Sequence, residues 1–221
     1  MTMLELTAIS PKNFQKPCLC VLVLDVSSSM EGTPILELNG ALKEFYNSIN
    51  QDDEAAEKLE ICIITFGSEV KCIQEPAKVD DFKMPSLVAN GTTKLVDGIK
   101  LAIKQVELRK EYYKKHSPQY SRPMILIMTD GEPDSDQDVI GLSTIIKSDM
   151  IAKKYTLHVL GTSGYNYSKI ATFCPKELIY GIGSNYSRFF KWLSRSTDEL
   201  SGGKSISDIA GSDFMEQSPI N

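Results

Sequence analysis

The run CLCVLVLD, residues 18 to 25, is apolar at every position until a single carboxylate ends it. A strand with water on one face alternates apolar and polar residues, so an unbroken run predicts a strand covered on both faces, as in the middle of a parallel sheet. Three further runs rich in β-branched residues follow: LEICIITF (59 to 66), PMILIMTD (123 to 130) and YTLHVLG (155 to 161). The third run in the chain is as uniformly apolar as the first, which marks the pair as central strands; LEICIITF alternates a little more.

Between these runs the spacing turns helical. Thr33 and Pro34 offer a cap and a first-turn proline, and Ile35, Leu38, Leu42, Phe45 and Ile49 then recur at intervals of three and four. Leu95, Ile99, Ala102, Ile103 and Val106 make a second such stripe, running into the cationic end Arg109, Lys110, Lys114 and Lys115, which suits the negative end of a helix dipole. Two more helices are predicted over 138 to 155 and over 184 to 200, the latter started by a serine cap. SEVKCIQE (68 to 75) follows Gly67 closely and reads as an antiparallel hairpin partner at a sheet edge.

Strand and helix alternate, with one hairpin, no internal repeat and no second domain. The fold class expected is α/β: a doubly wound, mostly parallel central sheet with one antiparallel edge strand and helices on both faces. The division expected is an N-terminal extension over 1 to 14, one domain over 15 to 200, and a small, polar, mobile tail over 201 to 221. Right-handed crossovers put the carboxyl ends of all parallel strands on one edge, where ligands bind in such sheets.

A chain of 221 residues with 42% hydrophobic content can bury a sizeable core unaided, and a formal net charge of -5 argues against a surface built to neutralise nucleic-acid phosphates. The five cysteines (Cys18, Cys20, Cys62, Cys72, Cys174) lack CxxC spacing and sit in or beside apolar segments, so they read as reduced thiols in a reducing compartment. The start MTMLELTAISPKNFQKP lacks the pattern of a secretory signal, and the longest apolar run is far short of the roughly 20 residues of a membrane span. A cytoplasmic protein is expected, with neither nucleic acid nor membrane as partner.

At the shared edge the sequence assembles three polar sites: Asp25, Ser27 and Ser29 after the first strand, Thr92 and Thr93 before a helix, and Asp130 ending the third run. Oxygen donors without His or Cys suit a small, hard cation that keeps some of its waters: Mg²⁺ or Mn²⁺, with Ca²⁺ behind them, and not zinc. Each element alone is ordinary turn chemistry; their joint placement is what points to a metal. The acidic run Glu132, Asp134, Asp136, Asp138 reads as a solvated loop entering a helix. His116 and His158 have no recognisable catalytic partners, and Phe189, Phe190 and Trp192 read as core.

Asp-x-Ser-x-Ser, a distant Thr and a distant Asp, in that chain order, resemble the metal-ion-dependent adhesion site of von Willebrand factor type A (VWA) domains. Here DVSSS supplies Asp25, Ser27 and Ser29, NGTTKL supplies Thr93, and MTDGEPD supplies Asp130. Family members usually carry G-G-T-x-L where this chain has GTTKL, so Thr93 aligns with the ligand and Thr92 replaces a glycine. DVSSSMEGTPILELNGALKEF and TDGEPD look most like the compact bacterial VWA proteins of tellurite-resistance and stress operons, the TerY-like group.

The resemblance covers roughly residues 15 to 195. It implies that Ser27, Ser29 and Thr93 ligate the ion directly while Asp25 and Asp130 act mostly through water, leaving a position for an Asp or Glu of another protein. It also implies partners such as a kinase, a phosphatase or an ATPase. The competing expectation is an Mg²⁺-dependent phosphoryl-transfer or hydrolytic enzyme using Asp25. Against it stand the absence of a phosphate-binding glycine loop and the presence of hydroxyls where acids are needed. A nicotinamide or flavin dinucleotide is disfavoured by the lack of G-x-G-x-x-G after the first strand.

Overall fold

The computed structural model describes residues 16–116 and 119–201. The expected extension over 1 to 14 lies outside these residues, as does the expected tail apart from Ser201.

Six strands form one sheet in the order β3-β2-β1-β4-β5-β6. They are β1 (Cys18–Asp25), β2 (Leu59–Phe66), β3 (Val70–Lys78), β4 (Met124–Thr129), β5 (Thr156–Thr162) and β6 (Ile179–Gly183). All neighbours are parallel except β2 and β3, so β3 is the antiparallel edge strand. The two uniformly apolar runs are β1 and β4, side by side at the centre. β2 is as fully buried as they are, despite the alternation in its sequence.

The period of two divides β1 cleanly. Cys18, Cys20, Leu22 and Leu24 face a core shared with α1 (Thr33–Asn50) and α6 (Tyr186–Ser201), whose Phe45 and Phe190 rings lie 4.9 Å apart. Leu19, Val21 and Val23 face the opposite core, filled by α3 (Leu95–His116), α4 (Val139–Ile151) and the short α5 (Tyr167–Ile170). Phe189 and Phe190 are core residues, as their spacing implied. A further short helix, α2 (Asp53–Lys58), leads into β2 and is capped by Asp52, which accepts from the Ala55 N–H.

Four expectations need correction. Gly32, at φ 81°, caps α1, and Thr33 is already its first helical residue, because only a glycine adopts that backbone freely. Ser184 does not cap α6, which begins at Tyr186 and takes its first backbone bond from Phe189 N–H to Asn185 O. The hairpin strand is Val70–Lys78 and not 68–75, extended past Pro76 by pairing across an irregular register. Finally, β6 and α2 were not foreseen: IYGIG is short and carries two glycines, which lowers any strand signal.

The five cysteines are free thiols. No described helix is long and apolar enough to cross a membrane.

Candidate metal-binding site

From β1 the chain steps first to β2 on one side and later to β4 on the other, so the strand order reverses between β1 and β4. At such a switch point the loops leaving the two strands diverge and open a crevice at their carboxyl ends. Asp25 ends β1 and Asp130 directly follows β4, which puts both carboxylates at that crevice.

Asp25 is fully buried and hydrogen-bonded at both oxygens. Its Oδ1 accepts the Ser27 N–H at 2.9 Å and the Ser27 hydroxyl at 2.5 Å. Its Oδ2 accepts the hydroxyl of Thr129, the last residue of β4, at 2.7 Å. Burial pushes the carboxyl up to about 6, with nearby Asp130 adding to the rise, while the Ser27 and Thr129 hydrogen bonds pull the other way. Among the described residues the charge that acts on this buried carboxylate is a like one, that of Asp130.

Ser29 sits in a single 3-10 turn, Ser28–Met30, and its Oγ lies 3.0 Å from Ser27 Oγ. Oxygens on adjacent corners of an octahedron around Mg²⁺, each at about 2.1 Å, stand about 3.0 Å apart. The pair is therefore spaced as two neighbouring ligands, with Ser29 exposed and Ser27 backed by the carboxylate. Among the described residues no three His, Cys, Asp or Glu side chains converge to hold an ion. The donors at this edge are two carboxylates among hydroxyls, a set that fits a hard cation retaining part of its water shell.

The loop carrying Thr93 is locked on both sides. Val26 O accepts the Asn90 N–H at 2.7 Å; Gly91 O accepts the Ser28 N–H at 3.0 Å, and Gly91 N–H returns a bond to Ser28 Oγ at 2.9 Å. Gly91 has φ 84°, and a Cβ there would sit 1.9 Å from Ser68 Oγ, so the single glycine of NGTTKL lets the loop pack closely against the β2–β3 turn. Thr93 N–H donates to Asp134 Oδ1 at 3.0 Å and its carbonyl accepts the Asp134 N–H at 3.1 Å. The half-buried Thr93 is thereby tied to the loop that follows Asp130, whereas Thr92 is exposed and its N–H donates to Ser68 Oγ at 3.0 Å, toward the β2–β3 turn.

Asp25, Ser27 and Ser29 are thus joined by direct hydrogen bonds, Asp130 acts on Asp25 through its charge, and Thr93 is tied to Asp134 in the loop that follows Asp130. Sequence reasoning missed Thr129, although a hydroxyl directly before Asp130 in MTDG is the signal that marks it. It also read the acidic run too blandly. Asp134 anchors Thr93, Asp138 caps α4 through the Gly141 N–H at 2.8 Å, and Glu132 accepts from Asn166 Nδ2 at 2.8 Å. Gln137, within that run, accepts the Val96 N–H at 2.9 Å and so steadies the start of α3.

Compared with known protein families, residues 20–182 match the von Willebrand factor type A domain. The chain belongs to the VWA family. No curated protein sequence matches it significantly. Solved structures with the same fold include the pilus adhesin SpaC of Lactobacillus rhamnosus GG in its open conformation, at 14% identity and TM-score 0.65 over 86% of this chain and 31% of that one. Proximal thread matrix protein 1 of the mussel byssus aligns at 14% identity and TM-score 0.57, over 85% of this chain and 46% of its own. BatB of Bacteroides thetaiotaomicron aligns at 15% identity and TM-score 0.56, over 84% of this chain and 100% of its own. The VWA chain spans less than half the length of the adhesin and the thread protein. VWA domains generally mediate protein–protein interaction, often with a metal, and are generally not enzymes.

Proposed function

We propose that this VWA domain is a divalent-metal-dependent protein-binding module in which Asp25, Ser27, Ser29, Thr93 and Asp130 hold one Mg²⁺ or Mn²⁺ ion. The observation that carries the reading is the Ser27 Oγ to Ser29 Oγ spacing of 3.0 Å in front of a buried, doubly bonded Asp25 carboxylate. The ion would supply a Lewis-acidic centre with a position open to an external carboxylate. Asp25 orients the Ser27 hydroxyl by accepting its hydrogen bond, which leaves the oxygen lone pairs free to face the crevice, and Thr129 holds the carboxylate in place. Because the hydroxyls are neutral, little of the ion's charge is cancelled, and a partner's Asp or Glu completes it. The partner is another protein, a kinase, phosphatase or ATPase by resemblance, in a bacterial stress or tellurite-resistance system of the TerY-like kind and in the cytoplasm.

Enzymatic use of Asp25 is the weaker reading. A nucleophile or base needs an oxygen free to reach substrate, yet both Asp25 oxygens already accept hydrogen bonds inside the protein. The test is capture of partners from a bacterial lysate with Mg²⁺ and with EDTA, on wild type and on the Ser27→Ala, Ser29→Ala variant. Metal-dependent partners lost in the variant support the reading, and partners indifferent to both chelation and substitution overturn it. Phosphatase and nucleotide-hydrolysis assays are expected to read background.

A further inference from the structure

Beside the serine turn lies a groove of about 540 Å³ that the metal reading does not use. Its lining includes Val26, Thr65, Ile73, Leu87, Val88 and Asn90. Most of the sheet's α1 side is covered by helices, but next to the β2–β3 turn it is walled by the 86–90 segment instead. That segment is pinned to α1 by Asn39, whose Nδ2 donates to Leu87 O and whose Oδ1 accepts the Leu87 N–H. Val88 of this segment is 77% exposed and Ile73 of β3 is 38% exposed, and both line the groove. Isolated exposed aliphatics are common, but two that face one concave groove beside a ligand site are a docking feature.

We infer that this groove receives an aliphatic side chain of the partner segment whose Asp or Glu meets the metal, so that the recognised element is an extended stretch pairing one acidic residue with one nearby aliphatic residue. The inference rests on the metal reading. Two observations select this occupant. Val26, which lines the groove, lies between Asp25 and Ser27 and bonds Asn90 of the far wall, so the groove and the site are built from the same two loops. Among the described lining residues the charged ones, Glu69 and Lys71, are paired with each other at the solvent-exposed rim, so neither stands as a lone counter-charge in the groove, and a partner's carboxylate would find its counter-charge at the proposed ion.

The experiment uses an array of synthetic octapeptides, each with a central Glu and a single Leu placed at each position from three before it to three after it, the rest being Gly and Ser. Gln-centred and Leu-free peptides are controls. Binding to the full chain is read in Mg²⁺ and in EDTA by shifts in amide NMR spectra. The expected result is Mg²⁺-dependent binding at one or two Leu positions, about tenfold tighter than the Leu-free peptide, as burial of one aliphatic side chain supports. Val88→Asp is expected to erase that tenfold gain while Mg²⁺ affinity, measured separately by calorimetry, stays unchanged; Ile73→Ser is the second variant. Mg²⁺-dependent binding that ignores both the Leu position and Val88→Asp overturns the groove and leaves the metal reading intact. Leu-selective binding that persists in EDTA overturns the metal reading instead, and no Glu-dependent binding at all overturns the inference.

Discussion

Thr129 at the end of β4 donates its hydroxyl to Asp25 Oδ2 at the end of β1, 2.7 Å away, so the two central strands meet through one hydrogen bond between fully buried side chains. The same Thr129 oxygen accepts the Gly131 N–H at 2.9 Å, which fixes the turn carrying Asp130. Thr129 is thus a positioning residue for both carboxylates. Thr129→Val is expected to weaken Mg²⁺ binding by about tenfold, as loss of an outer partner of a metal ligand does, and Thr129→Ser to restore it. Calorimetric titration of both variants checks this; equal affinity in wild type and Thr129→Val contradicts the assigned role.

Buried as it is, a charged Asp25 carries a cost that a bound cation would offset. The folded-state pKa of Asp25 is raised to about 6, so its stabilising contribution is complete below the unfolded value of 3.8 and is lost as the pH rises through 6. At pH 7.5 the buried charge costs about 3 kcal/mol relative to a solvated one. Asp25→Asn is therefore expected to stabilise the metal-free protein by about 1–2 kcal/mol while abolishing stabilisation by Mg²⁺. Urea unfolding at pH 7.5 in EDTA and in Mg²⁺ measures both, and a metal-free variant less stable than wild type argues against a strained carboxylate.

At the opposite edge of the sheet from Asp25, Glu60 at the start of β2 is buried and held by Arg109 of α3, whose Nε and Nη2 each donate at 2.7 Å; the Tyr113 hydroxyl also donates to it. Breaking such a pair from one side leaves an unpaired buried charge. Arg109→Leu is expected to cost about 3 kcal/mol, and adding Glu60→Leu to recover most of it. A double-mutant cycle by urea denaturation decides, and additive losses contradict the coupling.

His158 in β5 is buried, with neither ring nitrogen hydrogen-bonded among the described residues, and burial lowers its pKa to about 4. The unfolded chain binds the proton first, so stability is full above about pH 6.5 and falls as the pH drops toward 4. Between pH 7.5 and pH 5 the loss from this residue is expected to be about 2 kcal/mol. The stability difference between wild type and His158→Leu is expected to shift by that amount over the range. A difference independent of pH contradicts the assignment.

The architecture was legible because the two runs destined for burial on both faces, CLCVLVLD and PMILIMT, contain almost no polar residue to mislead. β6 was hidden because its stability comes from pairing with β5 and not from IYGIG itself. The candidate residues could be grouped from sequence for a different reason. Asp25, Ser27 and Ser29 adjoin one strand end, and topology alone brings Asp130 to the same edge. What sequence could not supply was the set of bonds between loops: Gly91 to Ser28, Asp134 to Thr93, Thr129 to Asp25. Each joins residues at least 41 positions apart by a contact that exists only once the sheet has formed.

The proposed function requires one ion held by Asp25, Ser27, Ser29, Thr93 and Asp130, and calorimetric titration of the metal-free chain with Mg²⁺ or Mn²⁺ tests it most directly. One ion per chain is expected, with binding lost in Asp25→Ala and in the Ser27→Ala, Ser29→Ala double variant while both remain folded. Unchanged binding in these variants, or no binding in the wild type, contradicts it.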